Sequence, residues 1–195
     1  MTHTIMPRSK VRSFVRPLPI DVLIHQLNKS LENPRAHEAL YPWADRFIMG
    51  FPLPSWQRTL KWDESQMIRF ILSIWNDVDL GTYLINHLED GFSEVDGSLK
   101  SKVFTDCLLD GQQRLYSIQA YVMDEIKVPD AQGVPRLYSE LPVMDKRYFG
   151  SKVFNRAQVS SDEEIILRQI YDLRAFGGTP HEECERALPR PGQRG

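Results

Sequence analysis

Cysteine is scarce: Cys107 and Cys184 are the only two in 195 residues. They have no metal-ligand spacing and make no disulfide framework, so a reducing, cytoplasmic setting is expected. Charge of one sign is lacking too. With 24 Lys+Arg against 26 Asp+Glu the formal net charge is −2, which excludes a uniformly basic nucleic-acid coat but leaves room for a local patch. No apolar run approaches the roughly 20 residues that span a bilayer. The opening stretch "MTHTIMPRSKVRSFVRP" has no apolar segment of the secretory kind, and no membrane partner is expected. There is no internal repeat, and the histidines are scattered.

What is present is 42% hydrophobic, enough for one domain with a core. Arg8, Lys10, Arg12 and Arg16 precede the first acid, Asp21. Residues 1–16 therefore read as a flexible basic arm, either solvated or contacting DNA phosphates. Residues 17–188 read as the folded domain. The Pro/Gly/Arg-rich residues 189–195 read as a disordered tail.

Periodicity predicts a mixed fold, α+β, with a small mixed sheet flanked by several helices. Ile20, Leu23, Ile24, Leu27 and Leu31 predict a helix over 17–31, ended by Asn33-Pro34. Residues 34–47 read as loop or a short helical turn. Pro52 and Pro54 exclude a central strand there. Asp63 reads as an N-cap with Gln66 closing a capping box, which predicts a helix over 64–76. Strands are predicted at 81–88 and 102–109, joined by an exposed excursion carrying two Asp-Gly turns. A helix with Leu115, Ile118, Tyr121 and Val122 on its buried face ends before Pro129. Residues 137–143 and 148–154 read as short strands. Ser161 caps a helix with an acidic first turn and an apolar face of Ile165, Ile166, Ile170 and Leu173. A Gly177-Gly178 corner stops it, and Thr179, Pro180 and Glu182 start the next.

The most informative stretch is "VFTDCLLDGQQRLYSIQAYV", residues 103–122. Asp110 reads as an N-cap and Gln113 stands at the capping-box position. Gly111 gives the backbone freedom at the corner. Gln112 and Arg114 are not explained by capping. Both fall in the first turn of a helix just beyond a strand, where backbone amides and the dipole favour an anion. A cation such as Arg114 is mildly unfavourable there, and a bound anion would resolve the conflict. Cys107, in an apolar run, reads as core; Trp75 does too. Trp56 and Trp62 read either as packing residues or as stacking platforms for a base. His181 reads as a surface residue.

"LLDGQQRLYSIQAY" resembles the Asp-Gly-Gln-Gln-Arg signature of the GmrSD-type restriction domains, specifically the GmrS-like N-terminal domain, within the ParB/sulfiredoxin-like superfamily. "FPLPSWQRTLKWDESQMIRFILSI" resembles that family's Pro-x-x-Gln-Arg-x-x-x-Trp segment, and "IYDLRAFGGTPH" its later Gly-Gly-Thr-Pro corner. The three motifs occur in family order and cover most of the chain. Ala175-Phe176 departs from the usual Asn and small residue. The resemblance implies a ParB/sulfiredoxin-like fold and a nucleotide-dependent module in defence against phage DNA. It implies that Asp110, Gly111, Gln112, Gln113 and Arg114 form a phosphate-binding turn. Gln57 and Arg58 would approach from the second motif, and Gly177, Gly178 and Thr179 from the third. In that picture Asp110, Gln112 and Arg114 are catalytic, Asp110 holds Mg2+, and the cofactor is a nucleoside triphosphate. DNA and a nuclease or helical subunit are the further partners it implies.

Three readings stay open at this point. One is hydrolysis of the nucleoside triphosphate, with Asp110 or Gln112 positioning metal or water and Arg58 and Arg114 holding phosphates. Another is a non-hydrolysing nucleotide- or DNA-sensing adapter. The last is a metal-dependent DNA nuclease at the same site, to which Asp63 and Asp106 would add carboxylates. No His-Asn-His cluster is present, so nuclease chemistry is expected from a partner or from the motif itself, and the chain is expected to be a stand-alone or truncated form.

Overall fold

Asn155–Val159, with polar residues at 155, 156 and 158, is an inner strand of the main sheet. The structure is a computed structural model that describes residues 11–176. In chain order its elements are β1 (Phe14–Arg16), α1 (Ile20–Glu32), α2 (Pro34–Leu40), β2 (Arg46–Ile48), β3 (Phe51–Leu53) and α3 (Glu64–Trp75). Then follow β4 (Thr82–Asn86), β5 (Phe92–Val95), β6 (Ser98–Ser101), β7 (Leu108–Asp110) and α4 (Gln112–Val122). The described chain ends with β8 (Val128–Pro129), β9 (Pro135–Arg136), α5 (Val143–Ser151), β10 (Asn155–Val159) and α6 (Glu164–Phe176). The fold is α+β, as expected.

The main sheet runs β1-β10-β4-β7: β1 and β7 are antiparallel to their neighbours, and β10 and β4 are parallel. Its two faces carry different chemistry because side chains alternate along a strand. Leu84, Ala157 and Val159 pack with Cys107, Leu109 and Leu167 of α6 on one face. Tyr83, Ile85 and Leu108 join the larger core beneath α1, α3, α4 and α5 on the other. Arg156 and Gln158 pair in register with Tyr83 and Ile85, so the polar residues of β10 share the face of the larger core.

The helices predicted around 20–31, 64–76 and 115–122 form. The capping box at α3 is complete, with Asp63 accepting from the Gln66 amide and Gln66 from the Asp63 amide. Four expectations are corrected. The end of the basic arm, Phe14–Arg16, is an edge strand rather than free chain, because β10 supplies its backbone partners. The strand predicted over 102–109 is confined to Leu108–Asp110; before it, Phe104 and Asp106 take left-handed φ values of 65° and 54° in a turn.

The strand predicted at 137–143 is turn as far as an extended Pro142, and most of the strand predicted at 148–154 is helix, within α5. Short apolar runs do not distinguish a strand from a buried helical segment. Here Phe149 drops into an aromatic group with Trp75, Tyr121 and Tyr138. The fourth correction concerns Asp110, which is the last residue of β7 and not an N-cap. Gly111 occupies the cap position at φ 96°, and no side chain caps α4.

Candidate functional site

Two close approaches bring the β7–α4 turn to its shape. A Cβ on Gly111 would stand 2.7 Å from the Tyr83 Cβ and 3.2 Å from its Cα. The glycine is thus required by packing against β4 and by its positive φ. The segment 57–62 is then tied across the turn by three glutamines. Gln57 Nε2 donates to the Leu108 and Leu109 carbonyls. Gln112 Nε2 donates to the Arg58 carbonyl at 3.0 Å. Gln113 Oε1 accepts from the Lys61 and Trp62 amides, each at 3.0 Å, instead of reaching back to a cap. Each glutamine leaves its other amide atom, Gln57 Oε1, Gln112 Oε1 and Gln113 Nε2, buried with no partner among the described residues. Such atoms are costly unless something satisfies them.

These residues, with Arg58, Trp62, Asp110, Arg114 and Tyr171, line one pocket of about 130 Å³ at the N-terminus of α4. Its charge is unbalanced. Asp110 Oδ2 accepts from Arg174 Nε at 2.9 Å and lies 3.4 Å from an Arg114 terminal nitrogen. Two guanidiniums therefore share one carboxylate, beside the positive end of a helix. Arg58 is exposed and has no ion-pair partner among the described residues.

Arg114 is not a free phosphate hook. It donates to the Leu80 carbonyl at 2.9 Å and the Thr82 carbonyl at 3.0 Å, and its guanidinium lies over the Phe154 ring. Burial pulls its pKa below the ordinary arginine value, with Asp110 opposing and Arg174 adding to the fall.

Seven sequence-predicted residues thus come together: Gln57, Arg58, Asp110, Gly111, Gln112, Gln113 and Arg114. Arg16 does not; it lines a separate cleft. Arg12 lines neither. Arg8, Lys10, Gly177, Gly178, Thr179 and His181 lie outside the described residues. Asp63 and Asp106 bring no second carboxylate to the pocket, because the first caps α3 and the second pairs with His87. Among the described residues no group of three His, Cys, Asp or Glu side chains stands where it could hold a metal.

Sequence reading missed Arg174, which also donates to the Thr82 carbonyl and hydroxyl. It missed Tyr171 as well, whose ring meets Trp56 at 5.4 Å. The two lie three residues apart on α6, a spacing that puts them on one helix face, but nothing in sequence says that this face meets β7. Trp56 packs beneath α6 with Arg168 over its ring, and Trp62 packs on Phe70. Cys107 is fully buried, and burial pushes its thiol pKa up, as a core residue requires.

No helix among the described residues is long and apolar enough to cross a membrane. No curated protein and no solved structure matches the chain. The family model of the GmrSD restriction endonuclease N-terminal domain matches residues 43–183. That span contains every residue of the pocket, from Gln57 through the β7–α4 corner to Tyr171 on α6, and the chain belongs to this family.

Proposed function

We propose that this domain is the nucleotide-handling module of a phage-defence restriction system, and that it binds a nucleoside triphosphate by its phosphates at the β7–α4 turn and hydrolyses it. The observation that supports this is the coincidence of unmet polarity at one point. One orphaned amide donor, Gln113 Nε2, two guanidiniums (Arg58 and Arg114) against one carboxylate (Asp110), and the N-terminus of α4 meet among the residues of one pocket. Phosphate oxygens accept from helix amides and arginines alike. At about 130 Å³ the pocket takes phosphate and not a whole nucleotide, since small-molecule sites run from about 300 Å³ upward. The sugar and base would lie outside it, past the exposed Arg58.

Mg2+ fits this arrangement in one way only. Asp110 is the single carboxylate in the pocket, and Mg2+ is commonly held by one or two carboxylates together with substrate phosphates. Asp110 and the nucleotide would hold it, and the ion would neutralise charge on the transferring phosphoryl group. Arg174 would exchange Asp110 for a phosphate oxygen, bringing a cation to where charge develops. Gln112, whose Oε1 is unpartnered, would orient water. A nuclease at this site lacks support, because metal nucleases usually bring several carboxylates and Asp110 is the one that lines this pocket among the described residues.

Thermal shift with ATP, GTP and CTP, each with and without magnesium, tests binding. Phosphate release under the same conditions tests hydrolysis. One nucleotide should stabilise the protein in a magnesium-dependent way and release phosphate. Stabilisation without release would favour the adapter reading, which the doubly paired Asp110 supports. No stabilisation by any of the three would refute the assignment.

A further inference from the structure

A second cleft, of about 790 Å³, opens between the sheet and the α1–α2 corner. Its lining includes Arg16 and Arg156, which stand directly opposite each other across the antiparallel β1–β10 ladder. Like charges in opposed positions, with Cβ atoms about 5 Å apart, destabilise a sheet. Neither arginine is in an ion pair among the described residues. Arg156 Nε is buried with no hydrogen-bond partner. Lys29 of α1 lines the same cleft and is also without an ion pair. These features are unfavourable for the protein alone and favourable around a phosphate, which two guanidinium forks can grip at once.

The cleft also holds a preset polar group. His87 Nδ1 and Asp106 Oδ1 are 2.5 Å apart, and the Tyr41 hydroxyl donates to Asp106 Oδ2 at 3.4 Å. Asp106 makes these contacts from a left-handed backbone, φ 54°, a conformation that non-glycine residues hold only where the surroundings impose it. Gripped at Nδ1, His87 keeps Nε2 for a ligand. Glu32 and Glu89 line the same cleft. They would repel a continuous phosphodiester backbone and would accept from hydroxyl or amino groups. The volume lies within the range of about 300–1,000 Å³ typical of small-molecule sites.

We propose that this cleft is a second ligand site, for a phosphate monoester of mononucleotide size. Arg16, Arg156 and Lys29 take the phosphate, and the remainder of the ligand reaches the His87–Asp106 pair. The site is separate from the β7–α4 pocket and does not depend on its reading.

Calorimetric titration of the full chain with adenosine monophosphate, inorganic phosphate and a short single-stranded oligodeoxynucleotide tests the proposal, with Arg16→Gln, Arg156→Gln, His87→Ala and Asp110→Asn alongside. The monophosphate should bind with saturation. Arg16→Gln and Arg156→Gln should each weaken it about tenfold or more, the loss of one charge-assisted contact. His87→Ala should weaken the monophosphate but not inorganic phosphate, and Arg16→Gln and Arg156→Gln should weaken the monophosphate as much in the Asp110→Asn background as in the native chain. Arg16→Gln, on an exposed edge strand, should raise the melting temperature of the ligand-free protein while reducing stabilisation by the monophosphate. A merely structural arginine would do the reverse, and that result overturns the proposal. So does inorganic phosphate binding as tightly as the monophosphate, or an oligonucleotide that binds through these arginines while the monophosphate does not.

Discussion

Arg114 shows how a residue placed by sequence takes partners that sequence does not record. Sequence puts it in the first turn of a helix, where a guanidinium suits an anion. The structure spends its donors on the Leu80 and Thr82 carbonyls and on Asp110, with its side chain 23% exposed. Arg114→Ala should therefore destabilise the fold by about 2–3 kcal/mol, since it strands buried acceptors of a charged donor. Arg114→Lys should recover little of that, because an ammonium cannot reproduce the fork. Chemical denaturation of both variants checks this; a loss below about 0.5 kcal/mol for the alanine would return Arg114 to the ligand. Gly111→Ala should cost about 3 kcal/mol or more, the sum of left-handed strain and overpacking against Tyr83, and should lower expression before nucleotide binding can be measured.

At the scale of elements, the junction of α2 and β3 carries a titration. His37 Nε2 bonds the Gly50 carbonyl at 2.9 Å, and its ring meets Tyr41 and Phe47. Burial lowers its pKa from the ordinary value of 6.5, partly opposed by the Gly50 bond and Glu38. The unfolded chain therefore takes the proton first as pH falls. The contribution of His37 is fully present above about pH 6.5 and is lost as pH falls through that value toward the lowered folded one. Denaturation midpoints between pH 7.5 and about 5 should decline for this reason, and His37→Gln should flatten the decline; an unchanged slope in that variant would assign it elsewhere. The α4 junction depends instead on Gln113, whose carbonyl oxygen serves two amides. Gln113→Ala should cost about 1–3 kcal/mol, seen as faster amide exchange at Lys61 and Trp62.

For the molecule as a whole, the contact to watch is α6 against the sheet. Arg174 joins α6 to Asp110 and Thr82 while remaining 32% exposed, so its pairing contributes only about 1 kcal/mol or less to stability. It is thus free to exchange partners. Arg174→Ala should change the melting temperature by a few degrees at most yet strongly reduce nucleotide-induced stabilisation. Added nucleotide with magnesium should alter amide exchange in the last turns of α6 as well as at residues 111–114. If exchange changes only at the β7–α4 turn, Arg174 is a structural strap and not part of the phosphate site.

The sequence by itself determined the elements whose signals are local: the α1, α3 and α4 stripes, the Asp63–Gln66 capping box, and the seven residues of the Gln57 and Asp110–Arg114 motifs that form one pocket. Those signals are set by helical period and by chemistry within a few residues of chain. Tertiary structure alone decided the rest. A capping role for Asp110 fails because the position of Gly111 is set by the Tyr83 side chain beside it, a contact between residues far apart in sequence. β10 was illegible because Arg156 and Gln158 face a cleft, so its alternation has no apolar partner to advertise it. Arg174 meets Asp110 for the same reason that Arg16 and Arg156 became neighbours. Strand register and helix docking bring charges together across distances that no local pattern records.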